Sequence, residues 1–146
     1  MLIQNHKLAW RWTDPAYAVL PSEILEQMHP IPSHEAKELF ERSLFFLCQD
    51  GLRPELHPNI VSSESMPPEV GGNWLRQQQP NLDIKVNLSW DPEVALLTTW
   101  GVFVSYWQEF CYPASDDLVV FPKSEAWVFL FHHEEELQFC RYSENV

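Results

Sequence analysis

The densest pattern of apolar residues lies between residues 91 and 142, and it predicts one long helix followed by three strands. Asp91 can cap this helix, Pro92 suits its first position, and Glu93 lies at the positive end of the helix dipole. Apolar residues then recur at steps of three and four, at Val94, Leu97, Trp100, Val104, Trp107 and Cys111. We therefore predict a central, buried helix that ends at Pro113.

The same segment has a second interpretation, in which residues 96–106 form a strand. At a period of two, one side of that strand would carry Leu96, Thr98, Trp100, Val102, Val104 and Tyr106. The helix is preferred because Asp91 supplies a start signal and because residues 107–110 continue the helical phase.

The pattern then changes to short runs of β-branched and aromatic residues, which are typical of strands. Three such runs cover residues 118–121, 126–131 and 137–142, with short polar segments between them. Strands joined by links this short pair antiparallel. The C-terminal part of the chain therefore predicts a three-stranded meander.

Strict alternation of apolar and polar residues predicts two more strands, over residues 7–13 and 82–90. Leu8, Trp10 and Trp12 would form the buried side of the first. Together with the meander, these strands predict an α+β fold in which a mostly antiparallel sheet has helices packed on one face.

Two amphipathic helices are predicted between these strands. Ser22 can cap a short helix that runs through Met28. Ser33 can cap a longer helix that reaches Leu47, and Gly51 stands where a C-terminal cap belongs.

Residues 53–73 differ in composition from their surroundings. They contain four prolines, a glycine pair and a cluster of serines, which predict an irregular loop within a single domain of residues 1–146. Such a loop is either functional or a variable insertion, and both interpretations stay open. Trp74 follows in a short helical turn predicted over residues 74–79, and its ring could anchor a protein contact.

The charge of the chain narrows the classes of function. Its 146 residues include 21 acidic and 9 basic side chains, for a formal net charge of −12, and 45% are hydrophobic. The hydrophobic fraction excludes a disordered chain. The negative charge argues against direct binding of nucleic acid, because a phosphate backbone requires a basic surface. It indicates a basic protein partner or serves solubility alone.

Targeting signals and cysteines bear on the compartment. The N-terminal segment lacks the apolar core of a secretory signal, and no run approaches the roughly 18 apolar residues of a membrane span. We therefore expect a cytoplasmic protein that does not enter the membrane. Cys48, Cys111 and Cys140 lie in apolar surroundings, which predicts reduced core thiols rather than disulfides or a metal site.

The segment from His132 to Glu136 is the densest group of metal-ligand residue types. If His133 still belongs to a strand, the two histidines point to opposite faces and cannot share a metal, whereas in a turn they could. The spacing matches no helical zinc motif. A solvated hairpin tip is therefore the preferred interpretation, with no metal or cofactor.

Other catalytic arrangements have little support. Asp116 and Asp117 could form a carboxylate pair for acid–base or Mg²⁺ chemistry, but adjacent acids in a turn usually bond to local N–H groups. Cys111 could pair with His132 or His133, although apolar surroundings would raise the pKa of its thiol. No catalytic residue is assigned.

In its combination of features the chain resembles the small acidic immunity proteins that bacteria encode beside polymorphic or contact-dependent growth-inhibition toxins. The resemblance lies in one acidic domain without a catalytic signature and in the segment WGVFVSYWQEFCYPASDDLVVFP running into WVFLFHHEEELQF. It implies a tight one-to-one complex with a cognate toxin domain, often a cationic nuclease. The chain itself is expected to be a monomer or a weak dimer.

On this hypothesis the partner-binding residues are acids on projecting turns and one aromatic residue beside the loop, namely Asp116, Asp117, Glu134, Glu135, Glu136, Glu64, Glu69 and Trp74. Two alternatives stay open. A small enzyme or metal-binding domain would use Asp116, His132 and His133. A regulatory adaptor or scaffold would expose an apolar patch and self-associate.

Overall fold

The computed structural model describes residues 2–141, and it confirms the predicted α+β class. This part of the chain contains six α-helices: α1 Trp10–Thr13, α2 Ser22–Leu25, α3 Ser33–Ser43, α4 Pro68–Gln78, α5 Trp100–Ser105 and α6 Trp107–Phe110. Short 3-10 helices cover Ile3–Asn5, Leu44–Phe46 and Pro54–Leu56. No helix within residues 2–141 is both long enough and apolar enough to cross a membrane.

The same part of the chain contains nine strands: β1 His29–Pro30, β2 Leu47–Cys48, β3 Gly51–Leu52, β4 Asn59–Ser62, β5 Lys85–Asp91, β6 Val94–Thr99, β7 Leu118–Pro122, β8 Trp127–His132 and β9 Glu136–Arg141. Seven of them form one sheet in the order β1-β6-β5-β7-β8-β9-β4, and neighbouring strands are antiparallel. β2 and β3 form a separate hairpin. The predicted meander is confirmed as β7, β8 and β9, and the strand predicted over residues 82–90 is confirmed as β5. The last predicted strand reached Tyr142, which lies outside the described residues.

Helices cover both faces of this sheet, whereas the sequence predicted them on one face. Leu118 and Val120 of β7 belong to a main core that includes residues of α1, α2, α4, α5 and α6. Val119 and Phe121 belong to a second core on the other face, which Leu39 of α3 helps to close. Every residue of β7 is buried, because a strand that is apolar on both sides requires cover on both faces.

The long helix predicted from Asp91 is wrong over its first part, where the chain forms a hairpin. β5 and β6 pair directly, with Asp91 opposite Val94. The Asp91 carboxylate accepts a hydrogen bond from the backbone N–H of Glu93 at 2.7 Å, so it caps a turn rather than a helix. The strand interpretation of residues 96–106 is correct only as far as Thr99.

The helical part of this segment begins at Trp100. The Thr99 hydroxyl accepts a hydrogen bond from the backbone N–H of Val102 at 3.1 Å, which caps α5. Helical geometry is interrupted at Tyr106, where φ is −129° and ψ is 29°, and α6 follows. The predicted helix is therefore confirmed only as two short helices, which place Trp100 in the centre of the main core.

The strand predicted over residues 7–13 is wrong, since the chain forms turns followed by α1. Trp12 is fully buried, but Trp10, assigned to the same buried side, is 39% exposed. Arg11, assigned to the polar side, is buried. The alternation of apolar and polar residues led to a wrong prediction because Arg11, which is charged, is buried at a position that would face the solvent in a half-exposed strand.

The two helices predicted before the loop are confirmed with shifted ends, as α2 and α3. Neither Ser22 nor Ser33 caps its helix, because Pro21 and Pro32 occupy the cap positions. Gly51 does not cap α3 either. It lies in the β2–β3 hairpin with φ of 132°, a backbone conformation that favours glycine.

Most of the predicted irregular loop over residues 53–73 is regular structure. β4 pairs with β9 at the edge of the sheet, and α4 begins at Pro68. The helix start did have a sequence signal, because proline suits the first helical position and Glu69 suits the first turn. The sequence nevertheless predicted a loop, because glycine pairs and serine clusters are typical of loops.

The glycine pair is required by helix packing. A Cβ atom at Gly71 would lie 2.3 Å from the indole ring of Trp107. The same indole donates a hydrogen bond to the carbonyl of Pro68 at 2.8 Å, which fixes its position. Gly72 has more room, since a Cβ there would first meet the end of the Arg76 side chain at 3.2 Å.

We predict that Gly71→Ala lowers the free energy of unfolding by about 1–3 kcal/mol, the usual range for overpacking a core. The better helix propensity of alanine offsets only about 1 kcal/mol of the strain. Gly72→Ala is the matched control, because it gains the same propensity without meeting the indole, and it should change stability by less than about 1 kcal/mol. Urea denaturation of both variants measures the difference. Equal stabilities would contradict this account of the packing.

Candidate functional site

Three segments that are distant in sequence meet at one end of the sheet. They are the turn before β7, the β8–β9 turn and the segment after β4. The backbone N–H of Ser63 donates to the carbonyl of Glu135 at 2.7 Å, and the backbone N–H of His133 donates to the Asp117 carboxylate at 2.9 Å. We call the acids of these segments the acidic end: Glu64, Asp117, Glu134, Glu135 and Glu136.

No lysine or arginine in these segments compensates the charge of the acidic end. The chain has nine basic residues, and none falls in residues 59–66, 112–117 or 132–138. Basic residues instead lie at the opposite end of the sheet, where Lys85 begins β5, Lys123 follows β7 and Arg141 ends β9. Because Asp117 and Glu134 are exposed, this end of the sheet presents a negative potential to the solvent.

Asp116 does not belong to the acidic end, although the sequence predicted it on the same exposed turn. It is 6% exposed, and its carboxylate accepts hydrogen bonds from both terminal nitrogens of Arg11, at 2.6 and 3.1 Å. The backbone N–H of Tyr112 donates to the same carboxylate at 2.9 Å. Asp116 therefore joins α1 to the turn before β7 and is not free to meet a partner.

The sequence left open whether His132 and His133 face the same way, and the structure places them side by side. His132 is the last residue of β8, His133 lies in the turn, and their ring centroids are 4.3 Å apart. Asp117 is adjacent, so that one donor atom from each of the three residues lies within 4.8 Å of the others. The two side chains would point to opposite faces only if His133 continued the strand. His133 lies in the turn, so the alternative in which both histidines can face the same way is correct.

Hydrogen bonds determine which nitrogens of this group carry protons. Nδ1 of His133 lies 2.9 Å from the Asp117 carboxylate, and this hydrogen bond raises the pKa of His133 above its ordinary value of 6.5. Nδ1 of His132 accepts the backbone N–H of Glu134 at 3.1 Å. That nitrogen therefore carries a lone pair rather than a proton.

A cleft of about 390 Å³ opens beside the acidic end. Glu135 lies on one side of it, and Trp107 and Tyr112 form part of its apolar wall. Cys111 also lines the cleft, but burial raises the pKa of its thiol well above the ordinary value. The thiol therefore stays protonated near neutral pH and is a poor nucleophile.

A group of aromatic residues next to the cleft, of which Trp10 and Tyr17 are exposed and Tyr112 is partly buried, is a feature that the sequence did not reveal. The rings of Trp10 and Tyr17 lie 4.7 Å apart, and those of Trp10 and Tyr112 lie 5.6 Å apart, both edge to face. We call these three residues the aromatic patch. Tyr112 also lines the cleft, so the patch and the cleft are continuous. The patch was missed because Trp10 was assigned to the buried side of a strand.

Trp74 and Glu69 lie in α4 rather than in or beside a loop. Trp74 is partly exposed and packs against the main core. Glu69 is exposed in the first turn, where its charge is favourable at the helix N-terminus. The role of Glu69 and Trp74 in binding a partner stays a prediction.

The three cysteines are free thiols, as predicted. Cys111 and Cys140 are buried, but the expectation of a core thiol is wrong for Cys48, which is exposed. The chain forms the β2–β3 hairpin where the sequence predicted a helix end, and Cys48 lies in this hairpin. It lines a pocket of about 120 Å³ together with His132 and His133.

We predict that His133 and His6 titrate on opposite sides of pH 6.5. The Asp117 hydrogen bond raises the pKa of His133, whereas burial lowers the pKa of His6. The contribution of His133 to stability is therefore present below pH 6.5 and is lost as the pH rises through its folded-state pKa. The sign is reversed for His6, because the unfolded chain binds that proton more tightly, so stability falls as the pH drops below 6.5.

NMR titration of the imidazole resonances measures both pKa values. Asp117→Asn is the control, since it should bring the pKa of His133 back towards 6.5 and leave that of His6 unchanged. A pKa of His133 at or below 6.5 in the unaltered chain would contradict the Asp117 contact.

The chain was compared with protein-family models, with curated proteins and with solved structures, and none of them matches. The acidic end, the cleft, the aromatic patch and the Asp117 contacts are therefore the basis for inferring its function.

Proposed function

We propose that this protein is a non-catalytic binding module of the toxin-immunity kind, which neutralises a cationic toxin domain by forming a tight complex in the cytoplasm. The observation that carries the proposal is the convergence of the five acids of the acidic end at one end of the sheet, where one of them, Glu135, lines a cleft together with Trp107 and Tyr112. Clustered carboxylates near exposed aromatic side chains are features expected for recognition of a basic protein.

Charge supports the first step, the encounter with a basic partner. The acidic end extends over the neighbouring strands β7, β8, β9 and β4, which span about 15 Å at roughly 4.8 Å between strands. The Debye length at physiological ionic strength is about 8 Å, so neighbouring acids act together on an approaching cation. The net charge of −12 adds to this attraction and accelerates association.

Aromatic residues support the second step, the formation of a tight complex. Tryptophan and tyrosine are enriched among the residues that dominate binding energy at protein interfaces. The Arg11 guanidinium lies 5.3 Å from the ring centroid of Trp10 and 3.9 Å from that of Tyr112, and Asp116 holds this guanidinium in place. Rings that are ordered before binding lose little conformational freedom in the complex.

The alternative functions have less support. An enzyme that combines Asp116, a histidine and Cys111 would need these side chains to be accessible to a substrate. Asp116 instead forms an ion pair with Arg11, and Cys111 is buried. An adaptor or scaffold would use the aromatic patch for self-association. Sedimentation of the purified chain distinguishes these cases, since a stable dimer would favour the adaptor and a monomer or weak dimer the immunity protein.

The decisive test uses the full chain and the purified product of the neighbouring reading frame, because immunity proteins are encoded beside their toxins. One variant removes three charges from the acidic end, by Glu64→Gln, Glu134→Gln and Glu135→Gln. The control removes three exposed acids elsewhere, by Glu23→Gln, Glu26→Gln and Asp83→Asn. In stopped-flow mixing at low salt we expect association to slow about tenfold for the first variant, with a weaker salt dependence, and to change much less for the control.

The same neighbouring product should arrest growth when it is expressed alone, and the unaltered chain should restore growth. A neighbouring product with a metabolic activity and no growth inhibition would overturn the proposal. Equal association rates for the two triple variants would remove its electrostatic part.

A further inference from the structure

The Asp117, His132 and His133 side chains form a compact group of metal-ligand types. The antiparallel pairing of β7 with β8 brings them together, because Leu118 lies opposite Phe131 and the three residues follow directly beyond that pair. One donor atom from each residue lies within 4.8 Å of the others. A search of residues 2–141 for three or more histidine, cysteine, aspartate or glutamate side chains with donor atoms this close together finds this one group.

The spacing of the first two donors suits a shared metal ion. The Asp117 carboxylate lies 2.9 Å from Nδ1 of His133. Two ligands at metal distances of roughly 2.0–2.2 Å lie about 2.8–3.6 Å apart in octahedral or tetrahedral geometry. A metal ion could therefore replace the proton that the two groups now share, with only a small movement of either side chain.

His132 supplies the third donor. Its Nδ1 carries a lone pair, which now accepts the backbone N–H of Glu134 at 3.1 Å. Because His132 is buried and ends a strand, its ring is held by the fold and needs little ordering. Either ring nitrogen of His132 is a possible ligand atom, and coordination through Nδ1 would replace the hydrogen bond from the backbone N–H with a metal bond.

We propose that Asp117, His132 and His133 bind one divalent transition-metal ion of the Zn²⁺ class. Two imidazoles and a carboxylate suit such ions better than Mg²⁺ or Ca²⁺, which prefer oxygen ligands alone. Three protein ligands leave at least one coordination position for water. The negative potential of the acidic end attracts the ion. This site does not depend on the toxin-immunity proposal.

Calorimetric titration of the chelator-treated full chain with Zn²⁺ alone, and then with Co²⁺, tests the site. We expect one ion per chain. Asp117→Asn and His133→Ala should each weaken binding at least tenfold, since each removes one ligand. Both side chains are about half exposed, so we expect these variants to retain the fold. His34→Ala is the matched control, because His34 lies 3.7 Å from Glu35 in an exposed pair away from the site, and it should leave the affinity unchanged.

NMR supplies a second readout that does not require a variant. Zn²⁺ should shift the imidazole resonances of His132 and His133 and leave those of His34 and His57 in place. Absence of both heat and imidazole shifts at millimolar Zn²⁺ would overturn the proposal, as would equal affinities for the unaltered chain and His133→Ala. Because these experiments contain no protein partner, their outcome is independent of the toxin-binding test.

Discussion

Replacing Asp116 with leucine is expected to lower the free energy of unfolding by about 3–5 kcal/mol, because the Arg11 guanidinium would stay buried without its counter-charge. The two side chains are each 6% exposed, and they join segments that are 105 positions apart. Domains of this size are stable by about 5–15 kcal/mol, so this change would remove a large part of the total. Urea denaturation followed by circular dichroism measures the loss.

A double-mutant cycle separates the ion pair from the packing around it. Arg11→Met with Asp116→Leu removes both charges, and this double variant should be more stable than either single variant, because apolar replacement of a buried pair is often nearly neutral. The exposed pair of Arg42 and Glu125, 2.6 Å apart, is the control. Its coupling energy with alanine substitutions should be about 1 kcal/mol or less. Additive losses at positions 11 and 116 would show that the pair is not coupled.

Trp100→Ala is expected to destabilise the fold by about 3–5 kcal/mol, the range for removing a large aromatic side chain from a core. Trp100 is fully buried, and its ring lies 4.9 Å from that of Trp127 and 5.5 Å from that of Phe103. Its indole N–H donates to the carbonyl of Gln79 at 2.8 Å. The substitution would leave both a cavity and a buried carbonyl without its donor.

Two further variants divide this loss into its causes. Trp100→Phe keeps most of the apolar volume and removes the N–H donor, so it should destabilise by about 1–3 kcal/mol. Trp10→Ala removes a partly exposed ring of the same type and should change stability by less than about 1 kcal/mol. Denaturation curves of the three variants test the order. Equal losses at positions 10 and 100 would contradict the central position of Trp100.

Asp116 and Asp117 show how one step along the chain separates a structural role from a surface role. Adjacent residues entering a strand point to opposite sides, so Asp116 turns inward to Arg11 while Asp117 reaches His133 at the surface. The sequence grouped both as exposed turn acids. Nothing in the local pattern distinguishes them, because the difference depends on a cation that lies more than 100 positions away.

The segment that begins at Asp91 was predicted as a helix and forms a hairpin, because its local sequence is compatible with both structures. Asp-Pro-Glu suits a helix start and a tight turn equally well, because in both cases the aspartate accepts a local N–H. Strands outside the segment favour the hairpin over the helix. β5 pairs with β7 on its other side, and β6 pairs with β1. A helix over residues 91–99 would leave those strand edges without partners.

The fold class, the C-terminal meander, strand β5 and the negative charge of the molecule follow from the amino-acid sequence alone. These features depend on composition and on a local period, which each element expresses without help from the rest of the chain. Four other features depend on the packing of the whole chain: helices cover both faces of the sheet, Asp116 is buried, an aromatic patch adjoins the cleft, and Asp117 lies beside two histidines. Each of these depends on contacts between residues that are far apart in the chain, and a pattern of neighbouring residues carries no record of such contacts.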